Sequence, residues 1–114
     1  QGYLYQNFVM DDDGMAYIKI TSDVLKEFDA TPSETSLLVG SLGNVKGIVA
    51  WVIFIEENDA IRVRIRSKGP VINGLAKKYN GGGHPLASGA TAYSWDEVDV
   101  IIEDLKQICK TYEK

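Results

Sequence analysis

A long β-hairpin is the feature of this sequence that most constrains its fold. Residues Gly47 to Glu56 form an almost continuous run of β-branched and aromatic side chains, which is typical of a well-buried strand. Asn58 and Asp59 supply turn residues, and the segment from Ala60 to Ser67 then alternates apolar with charged side chains. The sequence therefore predicts two antiparallel strands, of which the second has one apolar and one basic face.

Further strands and helices are expected on either side of this hairpin. Strands are predicted for Ala16 to Thr21 and for Ala87 to Tyr93, and a helix is predicted for Pro70 to Tyr79. Asn80 and Gly81 are typical residues for the end of that helix. Two short helices are predicted from capping residues: one opened by Thr21 or Ser22 and running through Phe28, and one opened by Thr31-Pro32-Ser33-Glu34 and running toward Gly40.

A second capping box, Ser94-Trp95-Asp96-Glu97, predicts the start of the last helix. Apolar residues then recur at helical spacing and predict one buried stripe: Val98, Ile101, Ile102, Leu105, Ile108 and Tyr112. The predicted fold class is α/β (mixed α+β), with a sheet of about four to five strands, helices packed on it and a long C-terminal helix. The pattern leaves the order of the strands open.

Composition narrows the class of protein. Of 114 residues, 45% are hydrophobic and 25% are charged, which is ordinary for a globular domain. No run of 18 apolar residues occurs, so no membrane span is predicted. A single cysteine, Cys109, excludes an internal disulfide and is typical of a protein in the reducing cytoplasm. One cysteine and one histidine are too few for a Cys/His metal cluster, and the chain begins without methionine, so we expect it to be part of a longer protein.

Charge is distributed unevenly along the chain. The net charge of −4 argues against a general affinity for nucleic acid. Between Ala60 and Trp95, however, there is no acidic residue, and the six basic ones are Arg62, Arg64, Arg66, Lys68, Lys77 and Lys78. A local positive field on an acidic protein favours a compact anionic ligand over a long polyanion.

The three arginines follow the two-residue period of a strand. Because Ile61, Val63 and Ile65 are expected to face the core, Arg62, Arg64 and Arg66 should share the opposite face. Guanidinium groups bind phosphate through paired hydrogen bonds, so the row is a candidate phosphate site. The alternative is an ordinary solvated face on which the arginines pair with Glu56 or Glu57 across the hairpin.

A run of three glycines, Gly81 to Gly83, precedes the only histidine, His84. Successive N–H groups in such a run can form a nest for an anion, and an imidazole next to it can contact a phosphate oxygen. The alternatives are a flexible turn after a helix and a structural histidine. Ser88 has no nucleophile elbow around it, and Asp11-Asp12-Asp13-Gly14 is interpreted as an acidic turn rather than a metal site.

The stretch Gly81-Gly82-Gly83-His84-Pro85-Leu86-Ala87-Ser88-Gly89, preceded by Arg66-Ser67-Lys68, resembles the DHH-associated domain of the DHH phosphoesterase superfamily. Within this superfamily, the stretch is most similar to that of bacterial enzymes that act on oligoribonucleotides and phosphoadenosine phosphate. The resemblance implies that substrate phosphate is contacted by Arg66, Ser67, Lys68, Gly81, Gly82, Gly83, His84, Ser88 and Gly89, with His84 also stabilising the transition state; Arg62 and Arg64 are added from strand periodicity. It also implies that residues 1–15 are the end of an interdomain connection and that residues 16–114 form the substrate-binding domain.

The same resemblance implies a separate N-terminal domain that binds manganese, since these residues contain no Asp-His-His motif. We therefore expect no cofactor in this chain and no hydrolysis by it alone. The expected partners are a short single-stranded RNA or a nucleotide and the parent's own metal-binding domain, with no membrane; a homodimer is left open. The alternative is a module without chemistry that binds nucleic acid or a (cyclic) nucleotide, as in the related domain of alanyl-tRNA synthetases.

Overall fold

A single mixed sheet organises the part of the chain that the computed structural model describes, residues 9–23 and 39–112. The six strands within these ranges are β1 (Val9–Met10), β2 (Met15–Ile20), β3 (Ala50–Glu56), β4 (Ile61–Ser67), β5 (Gly82–His84) and β6 (Ala87–Ala92). Two helices have both ends described, α1 (Asn73–Lys78) and α2 (Trp95–Thr111), and a 3-10 turn covers Leu42–Asn44. The predicted fold class is confirmed, with more strands than expected.

The strand order is β1-β2-β3-β4-β6-β5. Strands β2 and β3 are parallel, and every other neighbouring pair is antiparallel. The chain leaves β4, forms α1, and returns as the β5–β6 hairpin, which inserts β6 between β4 and β5. This order brings Gly82 and Gly83 of the glycine run, which lie in β5, within two strands of the arginines of β4.

One face of the sheet is closed by the two helices. The core there is built by alternate residues of β3 and β4, including Val52, Phe54, Val63 and Ile65, packed against Ile101 and Leu105 of α2. Ser94 caps α2 by accepting a hydrogen bond from the N–H of Glu97 at 3.1 Å, as the capping box predicted. The predicted stripe differs at its end: Cys109 is buried, whereas Tyr112 lies at the C-cap and is partly exposed.

The opposite face is divided into two halves. Over β2 and β3 a second core forms, in which Ile18, Ile53 and Trp51 pack beneath Val39 and Leu42. Trp51 is fixed there by its indole N–H, which donates to the carbonyl of Val39 at 2.6 Å. Over β4, β6 and β5 no described residue forms such a cluster, and we call this half the open face.

Several predictions can be compared directly with the structure. The hairpin strands begin later than expected but end at Glu56 and Ser67 as predicted. The helix predicted from Pro70 begins only at Asn73. The predicted acidic turn is present, with Asp11 Oδ1 accepting hydrogen bonds from the N–H groups of Asp13 and Met15. Most of the helix predicted from residue 31 toward Gly40, and most of the one predicted through Phe28, lie outside the described residues.

Candidate functional site

The arginine row lies on the open face, as strand periodicity predicted. Along β4 the residues Ile61, Val63 and Ile65 are at most 4% exposed, and they belong to the core beneath α2. Arg62, Arg64 and Arg66 alternate with them and therefore point the other way. Successive arginines are about 6.6 Å apart along the strand, close enough for two of them to contact one phosphate group.

Register places Arg66 and His84 in one row across the open face. Arg66 pairs with Ala87 of β6, and Ala87 pairs with His84 of β5. Paired residues of neighbouring strands point to the same side of a sheet, so all three side chains share the open face. The Cα atoms of Arg66 and His84 are then about 10 Å apart, at two strand spacings. The residue between them in this row is Ala87, whose side chain is a single methyl group.

The next row has a floor without side chains. Arg64 pairs with Gly89, and Gly89 pairs with Gly82, so two glycines lie beside this arginine on the open face. A Cβ added to Gly89 would approach nothing closer than 3.6 Å, the carbonyl oxygen of Val63. Gly89 is thus not required by packing, and its missing side chain leaves the sheet backbone open to a ligand.

Gly81, unlike Gly89, is required by packing. A Cβ there would meet the carbonyl oxygen of Gly89, so only glycine allows the chain to lie against β6 at this point. Its N–H donates to the carbonyl of Ala76 at 2.9 Å, which ends α1, and the preceding Asn80 has a left-handed φ of 69°. The prediction that successive N–H groups of a glycine loop form an anion nest is therefore corrected: Gly82–His84 is an edge strand, and the N–H of Gly81 is already bonded.

A depression of about 490 Å³ opens beside Arg62 and Arg64. Its floor contains Gly81 and Gly89, and its polar walls are formed by Glu57, Arg62, Arg64, Asn80 and Thr91. Three of these, Glu57, Asn80 and Thr91, were not predicted as site residues, although Glu57 was named as an ion-pair partner and Asn80 as the end of a helix. Thr91 shares the parity of Gly89 along β6, but that signal becomes useful only when β6 is known to pair with β4.

Electrostatics differ along the arginine row. Arg62 Nε lies 3.2 Å from Glu57 Oε2, and both side chains are about half exposed, so the ion-pair alternative is correct for this arginine. Arg66 is half-buried; burial, and secondarily the charge of Arg64, lower the pKa of its guanidinium. Its Nη1 donates to the carbonyl of Ile65 at 2.9 Å. Arg66 is therefore a partly desolvated cation, for which a phosphate would be a favourable partner.

Glu56, the other acid considered as an arginine partner, faces away from the row. Its carboxylate accepts hydrogen bonds from the N–H of Ser22 at 2.9 Å and from the indole of Trp95 at 3.3 Å. The bond from Ser22, followed by that from Trp95, lowers the pKa of Glu56. Its role is to join the end of β3 to the start of α2.

His84 is exposed and oriented by its own turn. Its Nδ1 accepts a hydrogen bond from the N–H of Leu86 at 3.1 Å. In the neutral imidazole the proton then resides on Nε2, the nitrogen that remains to donate to an anion. The carbonyl of His84 accepts from the hydroxyl of Ser88 at 2.7 Å, which fixes the backbone of the same turn.

Ser67 and Ser88, which the resemblance placed at the phosphate, are not brought to the open face. Ser88 is 3% exposed and Ser67 is 9% exposed, and both lie on the helix side of the sheet. The Ser67 hydroxyl donates to the carbonyl of Pro70 and accepts from the N–H of Gly69. Both serines position the backbone that carries the site, and the parity of Ser67 with Ile65 was already a signal for this.

Two lysines of the acid-free window, Lys68 and Lys78, have different surroundings. Lys68 lies directly after the end of β4, is exposed, and its Nζ lies 3.5 Å from the carbonyl of Val45. Lys78 instead pairs with Asp104 of α2 at 3.1 Å. The same carboxylate accepts a hydrogen bond from the hydroxyl of Tyr79 at 2.7 Å, and burial together with this bond raises the pKa of Tyr79 to about 12. Tyr79 is thus a buried structural residue rather than a platform for a base.

The described part of the chain contains no set of side chains that could bind a metal ion. Residues 9–23 and 39–112 contain no group of three or more His, Cys, Asp or Glu side chains arranged to hold a metal ion. The manganese implied by the resemblance therefore cannot be assigned to these residues. Across the same ranges, no helix combines the length and the apolar character that crossing a bilayer requires.

Comparison with known proteins assigns the chain to a family. The DHHA1 domain model matches residues 12–111. The bifunctional oligoribonuclease and PAP phosphatase NrnA of Bacillus subtilis is 61% identical over 112 residues, which is 98% of this chain and 36% of the relative. A probable bifunctional oligoribonuclease and PAP phosphatase NrnA of Streptococcus mutans is 45% identical over 96% of this chain and 36% of its own length. The chain thus spans about a third of these relatives.

Solved structures agree at the level of the fold. An exopolyphosphatase-related protein from Bacteroides fragilis superposes with a TM-score of 0.81 at 26% identity, covering 96% of this chain and 34% of that one. The C-Ala domain of alanyl-tRNA synthetase from Aquifex aeolicus gives 0.59 at 20% identity, covering 83% of this chain and 89% of the domain, and shows the fold alone. On the extent of the domain match and the identity to these relatives, the chain belongs to the DHHA1 domain family.

Proposed function

We propose that this chain is the substrate-binding domain of a manganese-dependent phosphoesterase that hydrolyses short oligoribonucleotides, 3′-phosphoadenosine 5′-phosphate, or both. In this proposal Arg64, Arg66 and His84 bind a phosphate group of the substrate, and Lys68 adds positive charge at the end of the row. The metal ions belong to a separate domain of the parent protein, for which residues 1–15 form the end of the connection. The parent protein acts in the cytoplasm.

One observation carries the proposal: the register Arg66–Ala87–His84 puts a partly desolvated guanidinium and an exposed imidazole in one row, with no bulky side chain between them. Beside this row lies the bare backbone of Gly89, with room for a ligand. Charge-assisted hydrogen bonds from such donors are roughly twice as strong as neutral ones. The arrangement therefore suits a phosphate held against the sheet.

The names of the relatives support the choice of substrate. Oligoribonuclease and PAP phosphatase activity both hydrolyse a phosphate ester of a nucleoside, and the two relatives are 61% and 45% identical to this chain. In hydrolysis by two metal ions, the metal ions would activate water and neutralise charge on the leaving oxygen. We infer that His84 and Arg66 act from the other side, by stabilising charge that develops on the phosphoryl oxygens.

Ligand titration followed by NMR tests the binding half of the proposal. Adenosine 5′-monophosphate and 3′-phosphoadenosine 5′-phosphate should shift the amides of residues 62–68 and 81–89. Arg66→Gln should weaken binding at least about tenfold, since it removes a charge-assisted hydrogen bond. Lys110→Gln, which removes a positive charge from the exposed side of α2, is the matched control and should leave affinity within about twofold.

Hydrolysis gives a separate test. The chain alone, supplied with manganese, should release no nucleotide from a short RNA, whereas the parent protein should do so. Turnover by the isolated chain would contradict the assignment of the chemistry to another domain. Absence of shifts at millimolar nucleotide, or shifts confined to α2, would contradict the binding site itself. Binding without any hydrolytic parent would favour the alternative of a nucleotide-binding module.

A further inference from the structure

The depression beside Arg62 and Arg64 is chemically unlike the row that contains Arg66 and His84. Its walls include the carboxylate of Glu57, the amide of Asn80 and the hydroxyl of Thr91, and its floor includes Gly81 and Gly89. At about 490 Å³ it falls within the range of cavities that hold small ligands. Arg62 and Arg64 line it as well, and Glu57 offsets part of their charge, so the depression offers hydrogen-bond donors, acceptors and bare backbone that suit a sugar and a base.

Glu57 changes what this end of the arginine row can accept. Its carboxylate lies 3.2 Å from Arg62, so the charge of that arginine is offset locally. A phosphate entering the depression would approach the Glu57 carboxylate, and like charges placed side by side at a binding site are costly. The two ends of the row therefore differ: the Arg66 end attracts phosphoryl oxygens, whereas Glu57 offsets that attraction at the Arg62 end.

We propose that the depression receives the nucleoside part of the ligand, ribose and base, and that Glu57 excludes a further phosphoryl group from it. The inference rests on the proposed function, because it places the nucleoside next to a phosphate held by Arg66 and His84. Thr91 and Asn80 supply hydrogen bonds to the sugar and the base, while the Gly89 backbone lets a flat ring lie close to the sheet. Exclusion by a repulsive group is a recognised way to obtain specificity.

This arrangement assigns Glu57 a role in distinguishing nucleotides from chains of phosphate. A linear polyphosphate has charge at every position and would place one of its groups beside the Glu57 carboxylate. A nucleotide of similar length has a neutral sugar and base at that position. The domain should therefore prefer the nucleotide even though both ligands can use the Arg66 end of the row.

The experiment compares three probes on the chain: adenosine 5′-monophosphate, ribose 5-phosphate and inorganic tripolyphosphate, each titrated by calorimetry at fixed salt. The mononucleotide should bind at least about fivefold more tightly than ribose 5-phosphate, since only it has a base to contact the depression. In Glu57→Gln the affinity ratio of tripolyphosphate to mononucleotide should rise about fivefold or more, because the repulsive charge is gone. NMR should show the amides of Asn80 and Thr91 shifting with the mononucleotide and much less with ribose 5-phosphate.

Glu103→Gln is the matched control, since it removes the same charge from an exposed position of α2 on the other side of the sheet. It should leave the ratio unchanged. An unchanged ratio in Glu57→Gln, or equal affinity for ribose 5-phosphate and the mononucleotide, would overturn this inference while leaving the phosphate row intact. If none of the three probes binds at millimolar concentration, the proposed function fails instead, so the two failures are distinguishable.

Discussion

The two faces of the sheet use the same strands in different ways. Beneath α2, alternate residues of β3 and β4 such as Phe54 and Val63 are fully buried and determine the register of the hairpin. On the other face, the intervening residues of β3 pack into the second core, whereas those of β4 lie on the open face, where the strand places Arg64 and Arg66. The comparison shows that the core fixes the spacing of the site without contributing any group to it.

Removing packing beneath α2 should have the largest effect, and it should be confined to stability. Leu105 is fully buried in the helix-side core, so Leu105→Ala should lower the free energy of unfolding by about 2–5 kcal/mol. Urea denaturation measures this change. Ligand affinity per folded molecule should be unaltered; a large loss of affinity in the folded variant would mean that the two faces are not independent.

On the open face, by contrast, a substitution should lower activity and leave stability almost unchanged. In the intact parent enzyme, His84→Ala should lower turnover about a hundredfold, or about 2.7 kcal/mol in the activation barrier, through loss of one hydrogen bond to the transition state. The exposed position of His84 means that stability should change by less than about 0.5 kcal/mol. Turnover within a factor of two of the wild type would remove His84 from the mechanism.

The third prediction concerns two neighbouring glycines, Gly81 just before β5 and Gly89 in β6. Gly81→Ala should destabilise the fold by about 2 kcal/mol or more, because its Cβ would collide with backbone atoms of Gly89 and Ala90. Gly89→Ala meets nothing closer than 3.6 Å and should stabilise the strand by up to about 1 kcal/mol. Its methyl group should nevertheless weaken nucleotide binding. Thermal unfolding and titration of the same two variants measure both outcomes.

Unaltered nucleotide affinity in Gly89→Ala would contradict a ligand lying on the bare backbone. Full stability in Gly81→Ala would show that β5 can move away from β6, and the row containing Ala87 and His84 would then be less rigid than described.

The smallest expected effect is a pH dependence on the helix side. The pKa of Tyr79 is about 12 in the folded chain and 10.0 for an ordinary tyrosine, so the unfolded chain loses this proton first. The stabilisation is complete below pH 10 and is lost as pH rises from 10 to 12. Tyr79→Phe should cost about 1 kcal/mol at neutral pH through the lost bond to Asp104.

Denaturant unfolding at several pH values measures the difference between wild type and Tyr79→Phe, which should shrink above pH 10. A constant difference across that range would show that the hydroxyl of Tyr79 is not the titrating group, since the other tyrosines and lysines titrate equally in both proteins.

The alternation in β4 was sufficient to predict which face holds Arg62, Arg64 and Arg66, because a two-residue period in an amphipathic strand has only one arrangement relative to the core. The same parity assigns Ser67 to the core, although the family resemblance had suggested otherwise. The Ser94 capping box and the start of α2 were likewise predictable, since both depend on residues close in sequence.

The other parts of the fold and the site could not be predicted, because they depend on pairing between strands that are far apart in the sequence. Strands β1 and β5 have only two and three residues, too short to show a period, so the sheet was expected to be smaller. The insertion of β6 beside β4 depends on tertiary packing, and without it neither the Arg66–Ala87–His84 row nor the place of Thr91 beside Arg62 could be derived. Small residues such as Ser88 also give no sign of the face to which they point.

The turn that carries His84 is attached to the rest of the domain through main-chain atoms. The N–H of Ile72 donates to the carbonyl of Pro85, and the N–H of Ser67 donates to the carbonyl of Leu86, at 2.8 and 2.9 Å. Since the side chains of Pro85 and Leu86 are exposed, their identities can drift during evolution or be varied in the laboratory while the imidazole keeps its place. The tip of this hairpin is therefore a natural position for diversification, next to a site that it does not disturb.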